Sequence, residues 1–380
     1  MDKAKIIDRF HYVFDTSDSD PTDSRSNNFN IIRVIAAFLV ILGHMYFIMG
    51  LGNQLPVFAG QGIQAIGAKT LFVLCGYFIT TSWIKDQHVG RYAVKRLFRI
   101  YPAFIVLILL SVFVLGPIVT EIPRDQYFAN IHTWEYFKNL LLHPVYALPG
   151  VFTSLPYANV VNGSLWTIPL ELAFYVLIPL MTIVPWKKKF PIVGIVLLVL
   201  FTAFTFVREL VLFPKGINLV FWGNGLIQAT DLIPPFLLGH IFSFVDKKYF
   251  NWQIGTIAFL TVSFLNVPLP YSDLVFPLAL AYFILSLGNA KNPVFRNWFK
   301  KSDFSYGLYL YGFPIQQVMY ILLRKANLHP ILMTFICFVI VLGFAILSWY
   351  FVEKPANKLC KKILSYIPKR KKEETTPQVV

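Results

Sequence analysis

The chain has 380 residues, of which 56% are hydrophobic and 14% charged, with 37 Phe, 19 Tyr and a mean hydropathy of +0.60. Soluble domains carry about 25% charged residues, so the composition excludes a soluble globular protein and predicts an all-α polytopic membrane protein. The formal charge of +15 invites a nucleic-acid partner, but it is parcelled among the segments that separate apolar runs, which excludes that reading.

Residues 1–28 include the run "DTSDSDPTDSRSNN". They lack the basic start, apolar stretch and small-residue cleavage site of a secretory signal and read as a disordered polar cytoplasmic tail. The first apolar run, 29–49, holds Arg33 and His44. Eleven residues at 100° each return them to nearly one helix face, about 16 Å apart along the axis. A cation and an imidazole on one face of a membrane helix are expensive unless they line a protein interior or a wet cavity. Snorkelling of Arg33 and an interhelical hydrogen bond from His44 are the structural alternatives.

The second run, 66–84, contains "FVLCGYFIT", where Gly76 suits close helix approach and Cys75 reads as packing rather than a nucleophile. Between 85 and 99 the chain carries Arg91, Lys95, Arg96 and Arg99. Arg96 and Arg99 are three apart and share a helix face. Guanidinium groups match phosphate in geometry as well as charge, although ordinary topological charge also accounts for such a patch. The run 100–119 follows, with Pro102. The segment 120–163 is rich in aromatic and imidazole side chains (Tyr127, His132, Trp134, Tyr136, His143, Tyr146, Tyr157), most of them expected in an interfacial belt.

Asn162, Gly163 and Ser164 predict a helix start for the run 164–184. Glu171 then sits about 10 Å below the outer surface, near the expected depth of His44. An intramembrane carboxylate is a functional candidate by default, with a structural tie to a buried Arg or Trp as the alternative. Further runs at 190–208, 230–246, 252–269, 272–288, 304–322 and 330–352 bring the expectation to about ten transmembrane helices in one bundle, spanning 29–352. A basic cytoplasmic tail, 353–380, follows. Ten spans place both termini on one side. That side then holds 26 Lys and Arg, against 7 on the other (Lys69, Arg124, Lys138, Arg208, Lys215, Arg324, Lys325). The asymmetry predicts cytoplasmic termini and contact with anionic lipids. Cys75, Cys337 and Cys360 suggest neither a disulfide nor a metal site, and no phosphate-binding or dinucleotide glycine loop occurs.

Cytoplasmic arginines suited to a polyanion, with a histidine and a carboxylate in a deeper layer, fit group transfer across a membrane. A transporter or flippase for a lipid-linked sugar or small anion would use the same charges.

The ordered motifs "NIIRVIAAFLVILGHMY", "FVLCGYFI", "RLFRIYPAF", "SLWTIPLELAFYVLIP", "SYGLYLYGFPIQ" and "YFVEKPANK" resemble the integral-membrane acyltransferase family 3, over about residues 27–355. That family includes O-acetyltransferases of bacterial cell-surface polysaccharides. The resemblance implies a multi-pass protein of the bacterial inner membrane. It implies acetyl-CoA or another acyl-CoA as donor substrate rather than a permanent cofactor, no metal, and a glycan or lipid-linked glycan acceptor. It maps the acyl-transfer histidine to His44, the helix-one arginine to Arg33, the Arg-x-x-Arg pair to Arg96 and Arg99, and the fourth-span glutamate to Glu171. Acyl-CoA phosphates would bind at the arginines. His44 would act as general base or carry the acyl group, and Glu171 would orient its imidazole. Two departures stand out. Cys75 replaces the serine of many members, and Tyr309-Leu310-Tyr311-Gly312 replaces a Tyr-Leu-Trp-His run.

Overall fold

The computed structural model describes residues 28–183, 190–217, 219–225, 229–265, 271–290 and 303–368. All of the expected disordered tail except Asn28 lies outside these residues, as do the lysine run 187–189 and most of the segment between the expected seventh and eighth spans.

The described elements are helical apart from two small antiparallel hairpins, β1 (Val57–Phe58) with β2 (Gln61–Gly62) and β3 (Val220–Phe221) with β4 (Asn224–Gly225). The main helices are α1 (Phe29–Ile48), α2 (Ile63–Lys85), α3 (Val89–Leu110), α4 (Thr167–Ile183), α5 (Phe190–Val207), α6 (Ile233–Phe242), α7 (Trp252–Phe264), α8 (Tyr271–Gly288), α9 (Ser305–Leu323), α10 (Pro330–Ser348) and α11 (Lys354–Tyr366).

Among the described residues, seven helical segments are long and apolar enough to cross a membrane: Phe29–Ile48, Ile63–Lys85, Val89–Val119, Gly163–Met181, Pro191–Leu212, Tyr271–Gly288 and Pro330–Tyr366. The expected count of ten is therefore corrected to seven. Helix α6 has ten residues, about 15 Å of rise, half of a hydrocarbon core of about 30 Å. Helix α7 has 13. Helix α9 has 19 residues but is not apolar enough, because it carries Gln316, Gln317 and four tyrosines. Its glutamines are buried, with their amide N–H groups donating to backbone: Gln316 to the Ile41 carbonyl at 2.7 Å, and Gln317 to those of Tyr157 and Val160 at 2.9 and 3.0 Å. With seven such segments, an even number of spans no longer fixes the two termini on one side.

Helix α2 is the hub, packed between α1 and α6. Small residues make this close. A Cβ on Gly76 would fall 2.0 Å from the Phe236 carbonyl oxygen, and one on Gly239 would fall 2.0 Å from that of Val73. The two backbones thus touch reciprocally, as small-residue helix crossings do.

Charges counted above as loop residues prove to be structural. Lys69 lies inside α2 and is 1% exposed. It bonds the Gln61 side chain at 2.6 Å and pairs with Asp231 at 3.1 Å and Asp273 at 3.5 Å. Arg208, in a wide turn continuing α5, meets the same two aspartates at 3.6 and 2.9 Å. This network ties together the ends of α2, α5, α6 and α8. Removing one partner from such a buried set costs roughly 3–5 kcal/mol.

Helix α3 begins at Val89, eleven residues before the expected apolar run, so the whole arginine series is helical. Arg91 donates to the Leu364 and Ile367 carbonyls at 2.6 and 2.5 Å, capping the C-terminal end of α11, and shares Asp86 with Lys95. Arg91 thus ties the C-terminal helix to α3, while Lys95 is held by Asp86. Arg96 and Arg99 remain to face the interior.

Candidate active site

Three helices, α1, α2 and α9, with α4 or the turn that leads into it, line two cavities stacked along the bundle. The first, of about 170 Å³, gathers Arg33 from α1, Cys75 from α2, Arg96 and Arg99 from α3, Glu171 and Tyr175 from α4, and Asp303 ahead of α9. The second, of about 370 Å³, contains His44, with Gln64, Tyr146, Tyr157, Trp166 and Phe313 around it.

In the first cavity the three arginines are not equivalent. Arg99 pairs with Asp303 at 2.9 Å and lies 3.8 Å from the buried Glu353. Arg33 reaches the same Asp303 at 3.6 Å and the Asn30 side chain at 3.1 Å, and lies over the Phe78 ring. It turns to a carboxylate inside the protein rather than snorkelling. Burial pushes the Asp303 carboxyl up, but the guanidinium groups of Arg99 and Arg33 outweigh that and hold it well below the usual carboxylate range. Arg96 has no carboxylate partner among the described residues. It donates to Ser82 Oγ at 3.1 Å and lies between the rings of Tyr92 and Tyr175, at 5.3 and 5.4 Å. Its Nε is buried without a hydrogen bond. Glu171 accepts the Tyr175 hydroxyl on the opposite wall.

The second cavity is uncharged apart from the imidazole. His44 is half-buried and meets Phe313 edge-on, with ring centres 5.2 Å apart, and Phe313 in turn meets Tyr157 at 5.7 Å. No described side chain hydrogen-bonds the His44 ring. Gly163 makes room for this stack, because a Cβ there would lie 2.7 Å from the Phe313 ring. The helix start expected at Asn162 is realised: Asn162 Oδ1 accepts Ser164 N–H at 3.0 Å, and its Nδ2 donates to the Leu310 carbonyl at 2.9 Å. Of the aromatic residues expected in an interfacial belt, Tyr127 and Tyr136 are fully buried, and Tyr146 and Tyr157 line this cavity. On its far side Trp166 borders an apolar groove formed with Leu170, Val176, Phe221 and Trp222.

The structure thus brings Arg33, Arg96, Arg99 and Glu171 together, and it does not bring Glu171 to His44. The depth expectation placed them in one layer because it took Gly163 as the membrane surface. The chain instead re-enters the bundle before α4, with Val161 and Asn162 fully buried. Gly163 and Trp166 are already level with His44, and Glu171 lies five residues deeper than Trp166, about 7.5 Å. Sequence reasoning missed Asp303, two residues before "SYGLYLYG", and Glu353, inside "YFVEKPANK". Both sat beside recognised motifs.

The residues that line both cavities fall within a stretch, 26–350, that fits the model of an acyltransferase domain, acyltransferase family 3. The chain belongs to the membrane acyltransferase 3 family. It is 26% identical over 342 residues to an O-acetyl transferase of Shigella phage Sf6, covering 87% of this chain and 96% of that protein. It is 24% identical over 370 residues to nodulation protein 10 of Rhizobium leguminosarum bv. viciae, covering 90% and 96%. A shorter match, 27% over 173 residues, links 42% of the chain to 24% of the peptidoglycan O-acetyltransferase OatA of Listeria monocytogenes. No solved structure matches it. As a member of acyltransferase family 3 the protein is a multi-pass membrane acyltransferase, and membership implies a donor of the acyl-CoA type. This acyltransferase packs Gly312 against Ile41, which a Cβ at that glycine would meet at 3.1 Å.

Proposed function

We propose that the protein transfers an acetyl or other short acyl group from acyl-CoA to a hydroxyl of a cell-surface polysaccharide or its lipid-linked precursor, in a bacterial inner membrane. The observation that carries this reading is the division of labour between the cavities. One offers a guanidinium without a carboxylate partner, and the other a histidine among aromatic rings. The names of the similar proteins, an O-acetyl transferase and a peptidoglycan O-acetyltransferase, support the acyl group and the glycan acceptor.

The donor phosphates bind at Arg96, with Arg33 and Arg99 completing a cationic wall. The pantetheine arm extends along the bundle towards His44. His44 takes the proton of the sugar hydroxyl as its oxygen attacks the thioester carbonyl, and the C–S bond breaks. The departing thiolate then recovers a proton from the imidazolium. A two-step route, with the acyl group first carried on His44, uses the same residues. Glu171 acts in the donor cavity, where its charge opposes Arg96 and Arg99. The aromatic rings around His44 suit sugar faces, and the apolar groove behind Trp166 favours an acceptor that carries a lipid.

The deciding experiment supplies membrane vesicles with labelled acetyl-CoA and follows CoA release and label in glycans. Stoichiometric CoA release with acetylated glycan is expected. Movement of unmodified glycan or anion without CoA release would establish the transporter reading instead.

A further inference from the structure

The two cavities are separated by a layer about one helical turn thick. On α9 it lies between Tyr309 and Phe313 and on α2 between Gln64 and Ala68, while at the start of α4 it narrows to the step from Trp166, which lines the His44 cavity, to Thr167, which lines the arginine cavity. Within that layer Thr167 Oγ1 and the Tyr309 hydroxyl are 2.6 Å apart. Thr167 also donates to the Ser164 carbonyl at 3.0 Å. The Tyr309 hydroxyl also reaches the Ser164 carbonyl, at 3.5 Å, so either hydroxyl can give its one proton to the other, and the bond between them runs across the gap from α9 to α4. Between Phe304 and Pro314 every residue except Tyr309 is buried. Its side chain borders open space while the helix around it is packed tight. A neutral hydrogen bond between two side chains is the kind of contact that opens readily, unlike the ion pairs below it.

We propose that Tyr309, latched by Thr167, is a movable partition between the arginine cavity and the His44 cavity. The pair positions the acyl group: it parts to admit the thioester to His44 and closes to keep water from the outer cavity out of the donor site. The role in transfer rests on the proposed function. The partition itself rests on geometry alone.

Cys75 lines the arginine cavity and is partly exposed, which gives a readout that needs no turnover. A control variant, Phe47→Cys in the His44 cavity, identifies the membrane side from which a charged methanethiosulfonate sulfonate reagent enters that cavity. The reagent is then added to the otherwise native protein from that side only, and modification of Cys75 is timed by mass spectrometry. Tyr309→Ala should speed Cys75 modification at least about tenfold. Tyr309→Phe and Thr167→Val, which keep the shape and remove the same hydrogen bond, should each speed it less. The double variant should add little to either single one, as expected for partners in one interaction. Acceptor-independent release of CoA from acetyl-CoA should rise in the same order, while transfer to glycan falls. Equal Cys75 rates in the native protein, Tyr309→Ala and Tyr309→Phe would overturn the partition. Faster labelling without any acyl transfer in any variant would keep the partition and reject the proposed function.

Discussion

The arginine cavity and the histidine cavity share three helices, α1, α2 and α9, and differ in their charge. The lower one contains three guanidinium groups, two carboxylates and a thiol, and most of its charge is already paired within the protein. The upper one is ringed by aromatic side chains, and its titratable group touches no charge. A bundle that must handle a polyanionic donor and an uncharged hydroxyl gains from separating them. Charges fixed beside His44 would bias its protonation, and a cavity without guanidinium groups would offer little to a diphosphate. The difference between the cavities therefore assigns recognition to one and chemistry to the other.

The largest test of that assignment is His44→Ala. Loss of a general base or acyl carrier is expected to lower transfer at least about 10²-fold, while acyl-CoA binding, read by calorimetry on purified protein, stays unchanged. Robust turnover would move the chemistry out of the upper cavity.

Next comes Arg96, the guanidinium without a carboxylate partner. Arg96→Ala should weaken acyl-CoA binding about tenfold or more, since hydrogen bonds to charged groups are worth about 1.5–3 kcal/mol. Arg96→Lys should recover only part, because an ammonium cannot form a bidentate fork. Saturating donor should restore turnover in both. If Arg99→Ala weakens binding more than Arg96→Ala does, pairing with Asp303 is no obstacle to donor binding and the distinction between the arginines fails.

Much of this arrangement was legible before the fold was known, and the reasons differ from residue to residue. Arg33 and His44 follow from helical periodicity alone, and α1 carries one to each cavity. Gly76 is a helix-crossing residue that its neighbours announce. Lys69 was counted among the charges of the outer side because nothing local shows that Asp231 and Asp273, far along the chain, close around it. Asp303 was invisible for the same reason: its partners are some 200 and 270 residues away. The layer of Glu171 was misplaced because local sequence does not reveal that the preceding segment dips into the bundle. Three short or polar helices counted as spans, since hydropathy averages over a window and does not see that the amide groups of Gln316 and Gln317 donate to backbone carbonyls inside the protein.

Asp303 offers an intermediate effect. Asp303→Asn leaves Arg33 and Arg99 without their shared carboxylate, and should lower stability by about 1–2 kcal/mol. This is less than the roughly 3–5 kcal/mol of a fully buried pair, because Asp303 and Arg99 are 22% and 31% exposed. A depressed carboxyl pKa stabilises the fold above the ordinary aspartate value of about 3.9, and that contribution is lost only as pH falls through the lower, folded value. The stability gap between native and Asp303→Asn protein should therefore stay constant from pH 8 to about pH 5 and close only below about pH 4. A gap that closes between pH 7 and 5 in detergent-solubilised unfolding would show that Asp303 is not held ionised by the arginines.

The smallest expected effect is at Cys75, and it bears on the comparison most directly. The thiol lines the arginine cavity with Glu171 opposite, where an acyl-CoA thioester would pass it. Were it the acyl acceptor, chemistry would begin in the lower cavity and His44 would serve only the second step. Serine keeps the size and polarity of the site but is a far poorer nucleophile towards a thioester unless a base activates it, and no described base hydrogen-bonds Cys75. Cys75→Ser should thus leave turnover within about twofold of native, or about 0.4 kcal/mol, with acyl-CoA affinity unchanged. A 10²-fold loss in turnover with the protein folded and donor still bound would put the first bond-making step among the arginines and reverse the assignment of roles to the two cavities.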